Sequence, residues 1–184
     1  MMKILKSLLL TLLLLAATEY ANGQSWTTVN STRGNFSFQL PNNNYTSKDS
    51  LNVLFYNYQV DTVLTIVTHY IDNAYMVQND SLFTVLLNQN YGDSLRAVGG
   101  LMLLLTNGQL QSIQDINPTS YNPKGIEIGF NYVADQTGDG LLFSRIFYKN
   151  GKFTAFTISS IGSDSVRLGV YKTTFFNSID FSQP

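Results

Sequence analysis

The stretch from Gly140 to Phe181 constrains the fold more than any other part of the chain. Two apolar runs flank Asn150-Gly151, a pair that tolerates the positive φ angles of a two-residue type I′ hairpin. With those residues as the loop, Lys149 faces Lys152, Tyr148 faces Phe153, Phe147 faces Thr154 and Ile146 faces Ala155. Counting on sets Arg145 against Phe156 and Phe143 against Ile158, so both faces of the ribbon carry apolar side chains. A hairpin wet on one side would alternate cleanly. This one is expected inside a sheet that is covered on both faces. A helix should follow from Ser163-Asp164-Ser165, because Leu168, Tyr171, Phe175 and Ile179 then share one helical face.

The N-terminal segment has a different character. Lys3 and Lys6 precede an almost unbroken leucine run from Ser7 to Ala17, and Ala21-Asn22-Gly23 ends it with small residues. Those three parts make a secretory signal peptide over residues 1–23, with cleavage expected after Gly23. The apolar run is about half of the roughly 20 residues that a spanning helix needs. No cysteine follows it to take a lipid. Residues 24–184 are therefore expected to form one exported domain, periplasmic or extracellular, without stable membrane insertion.

Cleavage would remove Lys3, Lys6 and Glu19 from totals of 11 basic and 12 acidic side chains, leaving a small negative charge. Such a balance offers no electrostatic footprint for nucleic acid. Charged residues are only 12% of the chain, against a usual ~25%. Asn, Gln, Ser and Thr replace them, so binding is expected through hydrogen bonds and aromatic contacts. With no cysteine, the apolar core must hold the fold without disulfides.

Along the domain, Phe36, Phe38 and Leu40 alternate with polar residues as in a half-buried strand ended by Pro41. Tyr45 to Ser50 reads as a polar loop. Leu51–Val60 and Val63–Asp72 read as strands, with Asp61-Thr62 as their hairpin. Asn79-Asp80-Ser81 caps a helix that breaks near Gly92, restarts at Asp93-Ser94 and ends at Gly99-Gly100. Leu101 to Leu105 fits either a last helical turn or the start of a strand that turns at Asn107-Gly108. Leu110–Ile116 and Ile126–Val133 read as further strands. The pattern is an α+β domain on a mostly antiparallel sheet.

The order of these elements, and several residues within it, resembles the PsbP-like and Mog-like α/β/α sandwich domains. The resemblance runs over nearly all of Trp26 to Phe181. It is carried by Gly34-Asn35-Phe36-Ser37-Phe38-Gln39-Leu40-Pro41, Lys124-Gly125-Ile126-Glu127-Ile128, Arg145, the Gly151-Lys152-Phe153 hairpin and Phe175-Phe176-Asn177-Ser178-Ile179-Asp180-Phe181. That group includes an extrinsic photosystem subunit, a Ran-binding protein and many exported bacterial proteins. The resemblance implies a sheet flanked by helices on both faces. It implies no shared reaction and transfers no functional residue.

No catalytic or cofactor motif is present. His69, the only histidine, has no Gly-x-Ser-x-Gly nucleophile to serve. Asp135-Gln136-Thr137-Gly138-Asp139-Gly140 resembles the front half of a calcium loop, with Asp135, Thr137 and Asp139 as oxygen ligands. The twelfth position, where a bidentate glutamate belongs, is Ile146, which excludes an EF-hand. Glu127 sits in a strand, where it either faces solvent or pairs with Arg145 or Lys124. Tyr45, Tyr56, Tyr58 and Tyr121 either pack in the core or line a groove. Asp followed by Ser or Thr and an apolar residue occurs at Asp49, Asp61, Asp80, Asp93 and Asp164, a pattern resembling a bacterial O-glycosylation acceptor. Three of those sites double as helix caps. Asn30, Asn35, Asn44 and Asn79 stand in Asn-x-Ser/Thr sequons.

These features favour a non-catalytic exported domain that binds another envelope or secreted protein or sits as an accessory subunit, with no cofactor. A binder of small hydrophobic or sugar ligands is the second reading, and a hydrolase using an Asp, Glu127 or His69 the third. A localised site is expected at the irregular stretches, Tyr45 to Ser50 or Ala134 to Gly140.

Overall fold

A computed structural model describes residues 25–42, 44–49, 53–60, 64–72, 76–77, 81–90, 92–134, 138–162 and 165–182. Strands β1 (Thr27–Ser31) and β2 (Phe36–Leu40) form a separate antiparallel hairpin. The main sheet has seven strands: β3 (Thr46–Asp49), β4 (Val53–Gln59), β5 (Leu64–Asp72), β6 (Gln109–Ile116), β7 (Gly125–Ala134), β8 (Gly138–Lys149) and β9 (Lys152–Ile161). Their spatial order is β3-β4-β5-β9-β8-β7-β6, and every neighbouring pair is antiparallel. Helices α1 (Ser81–Gln89) and α2 (Ser94–Leu105) interrupt the strands midway, and α3 (Ser165–Asn177) follows the last one.

The β8–β9 hairpin has the register that its turn dictates. Lys149 pairs with Lys152 and Phe143 with Ile158, with every pair between them in step. Asn150 and Gly151 take φ of 52° and 77°, the left-handed values that a type I′ turn requires. Alternation along β9 then divides the core in two. Phe156 and Ile158 enter a cluster with Phe36, Phe38, Phe147, Leu168, Tyr171, Phe175 and Phe181 beneath α3 and the β1–β2 hairpin. Phe153 and Ala155 enter the opposite cluster with Phe83, Leu95, Val98, Ile126, Ile128 and Ile146 beneath α1 and α2. The sheet is thus an α+β sandwich with helices on both faces. Leu168, Tyr171, Phe175 and Ile179, the helical face read from spacing, are all buried.

Phe156 is the hub of the first cluster. Its ring meets Phe36 at 5.3 Å and 79°, Phe38 at 5.7 Å, Phe147 at 6.0 Å and Phe175 at 6.2 Å. These edge-on arrangements are ones that aromatic quadrupoles favour. Past α3 the chain returns to β2. Ser37 N–H donates to the Asp180 carbonyl at 2.7 Å, and Asp180 N–H donates back to Ser37 at 3.0 Å.

Two expectations need correction. Tyr45 to Ser50 is not simply a polar loop, because Thr46–Asp49 forms edge strand β3 against Leu54–Asn57. Its polar sequence lacked an apolar face because all four residues are exposed. The second concerns α2, which does not end at Gly99-Gly100 but runs on to Leu105. Those glycines lie on packed faces of the helix: a Cβ on Gly99 would make van der Waals contact with Ile126 at 3.4 Å, and one on Gly100 with Leu86 at 3.4 Å. The helix stops at Thr106 and Asn107, where Asn107 takes φ of 50° and Gly108 N–H donates to the Leu103 carbonyl at 2.8 Å. At the other end Asp93 is the N-cap, accepting from the amides of Leu95 at 3.1 Å and Arg96 at 3.2 Å. The expected Asp61-Thr62 turn and the caps at Asp80 and Asp164 lie outside the described residues.

Candidate functional site

Glu127 on β7 and Arg145 on β8 are direct cross-strand partners, so their side chains share the face beneath α3. Arg145 Nε donates to Glu127 Oε2 at 2.8 Å, and Lys172 of α3 reaches Oε1 at 2.6 Å. The second partner is thus Lys172 and not Lys124. Arg145 Nη1 also donates to the Phe176 carbonyl at 3.0 Å, satisfying a group that the helix end leaves without an intrahelical donor. Its guanidinium lies 4.8 Å from the Phe176 ring centre, and Lys172 Nζ lies 4.1 Å from that of Phe143. The glutamate side chain is only 14% exposed. Burial pushes its carboxyl up, but the hydrogen bonds and charges of Lys172 and Arg145 outweigh this and hold it below the ordinary carboxylate value. A carboxylate neutralised on both oxygens is poorly placed to act as an acid or to take up a proton. This cluster bolts α3 to the sheet.

His69 lies in β5, paired across the backbone with Phe55 and Ala155. Strands β9 and β8 separate β5 from β7. Three strand spacings, about 14 Å, therefore divide the backbone of His69 from that of Glu127. The stretch Ala134 to Gly140 is not irregular throughout, because Ala134 closes β7 and pairs with Gly138, which opens β8. Asp139 stands opposite Val133, and its backbone carbonyl accepts from Gly162 N–H at 2.7 Å. Asp135 and Thr137 lie outside the described residues, and Ile146 is fully buried. Among the described residues no three His, Cys, Asp or Glu side chains gather as metal ligands.

Of the four singled-out tyrosines, Tyr56 and Tyr58 belong to the core beneath α3, and Tyr45 packs against it with its ring 6.0 Å from that of Tyr56. Burial, followed by the neighbouring Tyr171, pushes the Tyr58 phenol up. Tyr121 is exposed, while its carbonyl accepts from Phe181 N–H at 3.0 Å. They do not converge on one groove.

Sequence reading missed the surface around β6. This eight-residue strand ends the sheet, and all of it except Ile116 is exposed. Leu110 is 49% exposed and Ile113 40%, and both share the α2 side of the sheet with their partners Phe130 and Ile128. Leu104 and Leu105, at the end of α2, are 56% and 73% exposed. Asp115, the strand's one charged residue, is paired with Arg96 of α2 at 3.2 Å. The opposite edge, β3, is half as long, carries Lys48 and Asp49, and is tied to the β1–β2 turn by an Arg33–Asp49 ion pair. The signal was present in the sequence: Gln109–Ile116 lacks regular alternation, as a strand with neither face covered would.

No family model matches the chain, and no curated protein is similar to it in sequence. Solved structures do overlay on it. Cyanobacterial PsbP (CyanoP) from Synechocystis sp. PCC 6803 covers 85% of this chain and 92% of its own, with a TM-score of 0.55 at 10% identity. LpqN of Mycobacterium tuberculosis, described as involved in cell envelope biogenesis, covers 88% and 94% with a TM-score of 0.45 at 13% identity. A Mog1 mutant covers 84% and 95%, with a TM-score of 0.45 at 8% identity. The likeness to CyanoP shows a PsbP/Mog-like fold, as the sequence motifs implied.

Proposed function

We propose that the chain is an exported, non-catalytic binding domain that docks another envelope or secreted protein against β6 and the end of α2. The observation that carries this reading is an eight-residue edge strand, with no strand on its outer side among the described residues, whose Leu110 and Ile113 are exposed on the α2 side of the sheet, while Leu104 and Leu105 are exposed at the end of α2. An edge strand offers a row of free amides and carbonyls to a partner strand, and nearby apolar side chains add area. The remaining chemistry fits the same reading. Glu127 is engaged by two cations, and His69 is remote from it. Among the described residues no helix is long and apolar enough to cross a membrane. The basic and leucine-rich start of the chain supports export with cleavage after Gly23.

Site-specific photo-crosslinking in the native envelope fraction tests the surface. Probes at positions 105 and 113 are expected to trap a common partner, and the Ile113→Lys substitution is expected to abolish capture from position 105. A probe at Val166 of α3, whose exposure falls between those of Ile113 and Leu105, serves as the comparison. Capture from 166 with none from 105 or 113 would place the docking surface elsewhere and sink the proposal. N-terminal sequencing of the exported protein should begin at Gln24, and a chain that retains Met1 would contradict the export reading.

A further inference from the structure

A cleft of about 310 Å³ opens at one end of the sheet, lined by Asn107, Gly108, Gln109, Asn131, Tyr132 and Asp139. Its volume lies at the lower end of the roughly 300–1,000 Å³ typical of small-molecule sites. Strand register arranges its polar groups. Gln109 stands directly opposite Asn131 on β6 and β7. Asn131 stands opposite Leu141 on β8, and Asp139 lies two residues before Leu141. Residues two apart along a strand share a face, so Gln109, Asn131 and Asp139 form one polar row across three strands. Neighbours in such a row lie about 5 to 8 Å apart, close enough for one small molecule to touch all three.

The row is held by rigid parts. On the opposite face of the sheet, Tyr132 Oη donates to the Ser160 carbonyl at 3.3 Å, and its ring fills the space that a Cβ on Gly140 would need, 2.4 Å from Cζ. Burial pushes this phenol up, which keeps it a neutral donor at ordinary pH. On the other side, the turn is fixed by hydrogen bonds, Asn107 N–H donating to the Leu104 carbonyl at 3.2 Å and Gly108 N–H to that of Leu103 at 2.8 Å.

We propose that this cleft binds a neutral polyhydroxylated ligand, a saccharide of one or two rings. Three side-chain amides supply donors and acceptors together, and one carboxylate accepts two hydrogen bonds, a set that matches adjacent hydroxyl groups. Among the described residues no cationic side chain lines the cleft, and Asp139 makes it unfavourable for phosphates and carboxylates. The site goes beyond protein docking at β6 and does not depend on it. It is also not the apolar pocket between sheet and helix that a hydrophobic ligand would need.

Amide-resolved NMR titration of the exported chain decides the matter. The probes are glucose, galactose, N-acetylglucosamine and their β-1,4-linked disaccharides, with calcium chloride and sodium phosphate run separately. At least one sugar should give saturable shifts at Gly108, Gln109, Asn131 and Tyr132. Asn131→Ala and Asp139→Asn should each weaken it by about tenfold or more while leaving the other amide positions of the spectrum unchanged. Both substituted side chains are exposed, so folding should survive. Shifts with calcium or phosphate and with no sugar, no shifts at all, or sugar shifts insensitive to both substitutions would each overturn the proposal.

Discussion

The ring of Phe143 occupies the space where a Cβ on Gly129 would stand. The two residues are direct partners on β8 and β7, and an added Cβ would lie 2.6 Å from the ring and 2.8 Å from Ser112 Oγ. Gly129 therefore lets Phe143 lie across β7 and meet Lys172 from below. Replacement by alanine must displace an aromatic ring inside a packed layer. Gly129→Ala is expected to cost about 1–3 kcal/mol in urea unfolding, with near-ultraviolet circular dichroism changed while the far-ultraviolet spectrum holds. Wild-type stability with an unaltered aromatic spectrum would refute the fit.

The cluster at Glu127 predicts a pH dependence with a definite sign. The folded carboxyl lies below its ordinary value, so its contribution is present above the unfolded pKa of about 4.3. It is lost as pH falls through the lower folded value. Glu127→Gln should therefore be less stable than wild type near pH 7, by about 1–3 kcal/mol. The gap should close under acid conditions. Urea midpoints measured across that range give the answer, and a constant gap at every pH would contradict the pairing.

Phe156 touches both the hairpin above it and α3. Its truncation removes ring contacts to both at once. Phe156→Ala is expected to cost about 3–5 kcal/mol, which can unfold the domain outright. Phe156→Leu, which keeps most of the volume, should remain folded with a lowered melting temperature. Equal stability of the leucine variant and wild type would show that ring geometry adds little.

At the β8–β9 turn, Gly151 sits at φ of 77° with open space around it. A side chain there meets no clash, so any penalty is conformational. Gly151→Val should cost about 1–2 kcal/mol, whereas Gly151→Asn should cost less, because Asn tolerates the left-handed region. Thermal melts of the two variants separate this from a packing effect, which would rank them by size.

The hairpin and α3 were legible in advance because one dipeptide fixes a register and an apolar period fixes a helix face. Local rules were sufficient there. They failed at Gly99-Gly100, where a pair that reads as a helix stop is instead a packing surface for Ile126 and Leu86. Nothing local distinguishes the two roles. Thr46–Asp49 was missed for a related reason, since an exposed edge strand needs no apolar pattern. The candidate sites were the least legible part. Glu127 gains Lys172 from a helix 45 positions later, and the polar row of Gln109, Asn131 and Asp139 exists only once three strands are aligned. Of that row, Asp139 falls within Ala134 to Gly140, while Gln109 and Asn131 lie in or beside segments read as ordinary strand.

The contrast between the two sheet edges has a consequence for how copies of this protein can meet. Strand β3 is short, charged and tied down, whereas β6 is long and open. In the language of polymer chemistry, the sheet is a monofunctional unit: it has one reactive end and one that is blocked. Two copies can join through their β6 strands, but the pair then presents only blocked ends. Association through the sheet therefore terminates at two, and a partner strand seated on β6 uses up the single valence.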